Sequence, residues 1–164
     1  MVKASLIRFW MRVGDQGHIE EWLRNCGLTA DDTIRYIHDA EYIALSKVRI
    51  WQGRTAEALK VLAQLHDLAQ SQGRNGKLFY VLALQTIALR QSNDMDGALK
   101  ALHTSLTLAQ SEGYIRPYAE EGKPMEELMQ VGVARGIWHQ GHVDSYVNRL
   151  LKAIQQDQAQ LGGV

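Results

Sequence analysis

Gly53 to Gly73 reads GRTAEALKVLAQLHDLAQSQG, and forty residues on Asn93 to Gly113 reads NDMDGALKALHTSLTLAQSEG. Superposed, Ala58, Leu59, Lys60 and Leu62 fall on Ala98, Leu99, Lys100 and Leu102. Leu68 to Ser71 and Gly73 fall on Leu108 to Ser111 and Gly113. Self-similarity at a period of this size is the mark of stacked helical pairs, each burying its apolar face on the next. A third, fainter copy comes first: Gly14 begins a turn, and Ile19 and Leu23 take the places of Ala58 and Leu62. The turn residues Gly14, Gly53 and Asn93 are each followed five residues later by a small or medium apolar residue, and four after that by a large one. A small residue there lets paired helices approach closely.

Apolar residues recur at three and four, as a helix requires, and no period-2 alternation points to strands. Gly73 and Gly113 stand where left-handed helix caps are wanted. Asn93-Asp94 reads as a turn and N-cap. The two prolines, Pro117 and Pro124, both lie beyond the repeats. Helices are expected near 3–13, 17–25, 33–52, 54–72, 75–92, 95–112, 124–136 and 142–158. The expected fold is all-α: a right-handed superhelical stack of antiparallel helix pairs, a tetratricopeptide-like α-solenoid. It forms one domain over residues 1–160, with repeat units about 1–30, 33–73 and 74–113, an irregular C-terminal cap at 114–160 and a frayed tail at 161–164.

The chain has 164 residues, 18 Lys plus Arg against 18 Asp plus Glu, and a single cysteine, Cys26. Zero net charge argues against direct nucleic-acid binding. One cysteine excludes an internal disulfide and a cysteine-rich zinc site, and fits a cytoplasmic location. No stretch has the length and apolarity of a membrane span or a signal peptide. His139-x-x-His142 has ligand-like spacing, but no carboxylate or cysteine converges on it, and a turn or cap role is the simpler reading. Cys26 beside Gly27 reads as a small residue at a helix end. Glu120-Glu121 reads as part of a fixed turn, with Glu121 accepting backbone N–H groups or pairing with Arg116 in a buried contact. Tyr114, Tyr118, Trp10, Trp22 and Trp138 read as packing residues. No catalytic residue, metal ligand or cofactor is expected, and an enzyme is not.

SEGYIRPYAEEGKPMEELM, Ser111 to Met129, carries the pattern G-Y-x-R-x-F/Y-x-x-E-G-x-P-M-x-x-L, here Gly113, Tyr114, Arg116, Tyr118, Glu121, Gly122, Pro124, Met125 and Leu128. This resembles the end of the repeat domain in MalT-like, ATP-dependent bacterial transcriptional regulators of the LuxR type. VARGIWHQGHVDSYVNRLLKAI then resembles the helices that close that domain. The likeness covers essentially the whole chain. Such regulators join a nucleotide-binding module, a helical superhelix and a helix-turn-helix. This sequence has no G-x-x-x-x-G-K-S/T loop and stops where the DNA-binding segment would begin, so it reads as an excised piece or a stand-alone relative. The resemblance implies a sensing or interaction domain that binds an effector, a small molecule or sugar, or a protein partner, and signals to neighbouring domains of the same regulator. In the family's maltose regulator this region is associated with maltotriose recognition, and no ligand contact maps residue by residue onto this chain. The alternative is a generic tetratricopeptide-type scaffold that joins proteins without an inducer.

The first helix of each tetratricopeptide-like pair lines the concave groove. Counting back from the three turns gives an inward set of Arg8, Met11 and Arg12, then Ile43, Lys47, Ile50 and Trp51, then Tyr80, Ile87, Arg90 and Gln91. That set holds four cations and no carboxylate, with Trp51 and Tyr80 as stacking surfaces. It predicts a groove for an anionic small molecule, a sugar or an acidic peptide.

Overall fold

The computed structural model describes residues 4–35 and 39–162, with side chains described to residue 160. Every regular element among them is helical. In order these are α1 (Ala4–Val13), α2 (Gln16–Cys26), α3 (Asp39–Trp51), α4 (Thr55–Ser71), α5 (Asn75–Gln91), α6 (Met95–Ala109), the single turn α7 (Arg116–Ala119), α8 (Lys123–Ala134), a 3₁₀ segment over Ile137–His142, and α9 (Asp144–Gly162). The chain divides into two compact units, 1–72 and 73–164, at the glycine that closes the second repeat copy.

The three repeat turns share one backbone. Gly14, Gly53 and Asn93 all have positive φ, at 72°, 74° and 63°. The next residue's N–H reaches back to a helical carbonyl in each case: Asp15 to Trp10 at 2.8 Å, Arg54 to Arg49 at 2.8 Å and Asp94 to Leu89 at 2.9 Å. The turn residue itself donates to Met11, Ile50 or Arg90. These are the two bonds of a Schellman cap, which need a left-handed residue and so select Gly or Asn. The equivalent bonds recur at offsets of 39 and 40 residues.

Side chains at equivalent positions differ. Asp15 and Asp94 cap the following helix, accepting from the His18 N–H at 3.2 Å and the Gly97 N–H at 2.9 Å. Arg54 makes no such cap and pairs with Glu57, which also holds Arg49 Nε at 3.0 Å. Across the first turn the same slot is filled by Trp10 stacked on His18, with ring centroids 5.1 Å apart.

The packing positions behave as the repeat demands. Ile19, Ala58, Ala98, Leu62 and Leu102 are fully buried, and Leu23 half-buried. Ser46 and Thr86, forty residues apart, are buried hydroxyls that each donate to the carbonyl four residues back, Tyr42 and Leu82, at 2.8 Å. That local bond satisfies a polar atom inside an apolar helix pair.

Some boundaries differ from expectation. The helix expected from residue 33 is helical from Asp39, residues 36–38 of that span lying outside the described residues. Thr29 to Asp32 forms a closed turn instead: the Thr29 N–H and hydroxyl both donate to the Asp32 carboxylate at 2.8 Å. Gln64 of α4 then straps the extended backbone, donating to the Asp32 carbonyl at 3.0 Å and accepting from the Ile34 N–H at 3.2 Å. Residue 3, where the first helix was expected to begin, lies outside the described residues. Of the tail expected over 161–164, residues 163–164 also lie outside, and α9 continues through Gly162.

Candidate functional site

The residues expected to line a groove fall in two units, and each unit is described by itself. In residues 1–72, α1 and α3 are the first helices of successive pairs and pack on each other. The 39-residue offset sets Arg8 in register with Lys47, and Arg12 with Trp51. Arg8 and Arg12 are exposed on α1, while Met11, Ile43, Lys47 and Trp51 are half-buried. Arg8 and Lys47 both engage neighbours and are not free cations. Ile50 is buried, so it belongs to the core and not to an open face. What remains is a face carrying three cations and an indole on two successive helices.

In residues 73–164 the expected set changes character. Tyr80 is half-buried and meets the Phe79 ring edge-on at 6.4 Å. Ile87 is buried and Gln91 exposed. Arg90 is ion-paired with Glu127 of α8. The counted set itself holds no carboxylate, but α8 brings one, Glu127, to Arg90. This contact joins residues 37 apart across two irregular connections, which no helical periodicity could register. Both partners are partly exposed, and pairs of this kind contribute at most about 1 kcal/mol.

The segment 113–129 is a corner that fastens the last helices to the repeat. Tyr114 stacks on Phe79 with centroids 4.8 Å apart, though it remains partly exposed. Tyr118 is fully buried. Its hydroxyl meets Ser105 Oγ at 2.7 Å, and Ser105 donates to the Phe79 carbonyl at 2.7 Å. Burial drives the Tyr118 phenol well above its ordinary pKa, and pushes Tyr146 up to about 12. The Tyr146 hydroxyl donates to the Tyr114 carbonyl. Pro117 and Pro124 each sit in the first turn of a short helix, where the missing N–H costs nothing. Met125 and Leu128 are fully buried. Tyr118 and Tyr146 are thus packing residues with satisfied tips.

Two expectations for this segment need correction. Arg116 bonds Glu120 at 2.8 Å, one helical turn away, where pairing with Glu121 was one of the two contacts expected. Its side chain is 81% exposed, so this is a surface contact and not a buried fork.

Trp138 is buried, and its indole N–H donates to the Met129 carbonyl at 2.8 Å. Gly132 makes room for it: a Cβ there would stand 2.1 Å from the indole. His103 of α6 lies parallel to that ring and its Nε2–H donates to the Gln140 carbonyl at 2.6 Å. Trp22 is also buried and Trp10 half-buried. His139 is exposed beside Asp144 at 3.1 Å, and His142 occupies a left-handed turn position with φ 58°. No group of three or more His, Cys, Asp or Glu side chains that could hold a metal ion occurs among the described residues. Cys26 ends α2, its thiol directed at the Leu23 carbonyl 3.4 Å away. No helix among the described residues is long and apolar enough to cross a membrane.

Paired helices repeated at a fixed period, joined by identical turns, define an all-α helical-repeat module of the tetratricopeptide class. Residues 1–134 match the family model of the MalT-like TPR region, and the chain belongs to that family. It is similar to the HTH-type transcriptional regulator MalT of Yersinia enterocolitica serotype O:8 / biotype 1B, with 27% identity over 121 residues. The match takes in 74% of this chain and 13% of that protein. The family describes a repeat region of a regulator and is not an enzyme family. The matched residues end with α8, so the closing elements over 137–162 lie beyond the family match.

Proposed function

We propose that this chain is a non-enzymatic sensing and interaction module of a MalT-like transcriptional regulator. The observation that carries the reading is the family match over the repeats and the corner motif. It receives an effector or a protein partner on the face formed by α1 and α3. Arg8, Arg12 and Lys47 supply positive charge there, and Trp51 supplies a flat surface for a sugar ring or side chain. Tyr80 and Gln91 make a separate candidate set on α5, in the other unit. Arg90 is committed to Glu127 and has a positioning role. A ligand acts as a signal only if it binds two states of the protein unequally. The module would pass that bias to neighbouring domains.

The test is a thermal-shift measurement with maltotriose, a sugar phosphate and a poly-glutamate peptide. It is run on the chain and on an Arg12→Glu/Lys47→Glu variant. At least one probe should raise the melting temperature of the chain and lose most of its effect on the variant. Equal shifts in both proteins would remove the assigned face. No shift with any probe would favour a scaffold that joins proteins without an inducer.

A further inference from the structure

Asn75-Gly76 is the one asparagine–glycine step in the sequence, and it opens α5. A glycine after asparagine leaves its backbone nitrogen unshielded, because no Cβ stands beside it. The surroundings do not shield it either. Both residues are exposed, and a Cβ built on Gly76 would meet nothing within 4 Å. Gly76 lies in the first helical turn, where backbone N–H groups have no helical carbonyl behind them. Its neighbours find partners all the same: the Asn75 N–H donates to the Gly73 carbonyl at 3.2 Å, and those of Lys77 and Leu78 to the Arg74 carbonyl at 3.0 Å. Among the described residues neither the Gly76 N–H nor the Asn75 carboxamide has a hydrogen-bond partner. The comparable steps elsewhere are closed. Gly97 follows Asp96, but its N–H is held by the Asp94 carboxylate at 2.9 Å. Asp94 follows Asn93, and its N–H is held by the Leu89 carbonyl at 2.9 Å. Asn25 and Asn148 lie within α2 and α9 and precede residues with side chains, Cys26 and Arg149.

We infer that Asn75-Gly76 is a site of spontaneous covalent modification, where the folded chain converts asparagine to aspartate and isoaspartate. The Gly76 nitrogen attacks Cγ of Asn75, and the new N–Cγ bond closes a succinimide ring. The carboxamide nitrogen leaves as ammonia, taking the proton that the Gly76 nitrogen gives up. Water then adds to one of the two ring carbonyls and breaks its bond to the Gly76 nitrogen. Opening at Cγ leaves the main chain as it was, with a carboxylate side chain. Opening at the backbone carbonyl routes the main chain through the side-chain carbon, as isoaspartate. Ring closure requires Asn75 to leave its helical backbone angles, and a terminal turn opens locally at little cost. The two products act on α5 in opposite senses. Its first turn holds no acidic residue and its N-cap, Arg74, makes no side-chain cap bond. Aspartate puts a carboxylate there, which the helix dipole favours. Isoaspartate lengthens the main chain by one carbon inside that turn and shifts Gly76 out of the helical rise.

The test incubates the whole chain at mildly alkaline pH, natively and in urea. Residue 75 is followed by peptide mass spectrometry and by labelling with an isoaspartyl methyltransferase. Native conversion at Asn75 should run within about a hundredfold of the rate in urea, because a first turn opens without global unfolding. Hydroxylamine, which cleaves a succinimide, should cut the native chain between Asn75 and Gly76. Gly76→Ala should slow the native conversion at least tenfold, and the fold accommodates it, since the added methyl meets open space and alanine favours a helix. Three results would overturn the inference: native conversion slower than the hundredfold limit, conversion at Asn93 or Asp96 ahead of Asn75, or a Gly76→Ala chain that reacts as fast as the original.

Discussion

Helices α4 and α6 are the two copies whose sequences are most alike, and they are gripped from outside by different parts of the chain. Their shared positions, Ala58 and Ala98, Leu62 and Leu102, Ala69 and Ala109, are all buried. Where they differ, something else docks. Leu65 of α4 is a simple core residue, and its counterpart in α6 is Ser105, the hydroxyl that anchors Tyr118. Ala63 is exposed, while its counterpart His103 holds the Gln140 carbonyl and faces Trp138. Conversely Gln64, which straps residues 32–34, has as its counterpart Thr104, whose hydroxyl turns back to its own helix. The common residues specify how helices pair. The departures mark where non-repeating chain is fastened, ahead of the pair for α4 and after it for α6.

Removing the largest fastening on the α6 side tests this most strongly. Trp138→Ala should cost about 3–5 kcal/mol in a urea melt, with the loss confined to residues 73–164 when followed by amide exchange. A comparable loss of protection in α4 would contradict the division between the copies. Leu62→Ala and Leu102→Ala should each cost about 2–5 kcal/mol, because both positions are buried in the shared pairing register. A loss under about 0.5 kcal/mol at either would mean the copies do not share it. The differing positions should separate next. Ser105→Ala strands the Tyr118 hydroxyl and should cost about 1–3 kcal/mol, whereas Gln64→Ala, at a part-buried strap, should cost about 0.5–1.5 kcal/mol. Reversal of that order in denaturant melts would sink the assignment of Ser105 as the deeper anchor.

The last effect is a pH dependence. A phenol in the unfolded chain loses its proton near pH 10. In the fold Tyr146 keeps its proton to about 12, and burial holds Tyr118 protonated as well. The unfolded state therefore binds fewer protons above pH 10, and stability falls as pH rises through the window from 10 to 12. Melts across that range should show the decline, and Tyr146→Phe should make it shallower. An unchanged slope in the variant would remove Tyr146 as a contributor.

Much of the fold was legible because its determinants are local. Gly14, Gly53 and Asn93 announce turns because they tolerate the left-handed conformation that the cap requires, and the spacing from each turn to Ile19, Ala58 and Ala98 follows from the helix period. The segment 33–35 was misread as helix because the Thr29–Asp32 bonds and the Gln64 strap override its neutral propensity. The inward-facing set rested on the helix period alone. Ile50 and Ile87 obey the same spacing as Lys47 and Arg90 yet are buried, since the period gives a direction around a helix and not what stands opposite. Glu127 was invisible as a partner for Arg90 because α7 and α8 reverse the chain between them. The corner motif was recognisable as a pattern, but the roles of Tyr118 and Trp138 depend on Ser105, Gly132 and Met129, which only the folded chain brings to them.

The Schellman turns also bear on how the chain assembles. Each of the three closes with contacts five residues apart, the kind of closure that forms fastest and loses least chain entropy. The pairs α1–α2, α3–α4 and α5–α6 can therefore come together in the order in which a ribosome releases them. The third is the exception in one respect. Ser105 waits for Tyr118, thirteen residues later, and His103 for Gln140, thirty-seven later. Until those arrive, α6 presents an uncovered face, and the nascent protein passes through an interval in which its last repeat is made but not yet sealed.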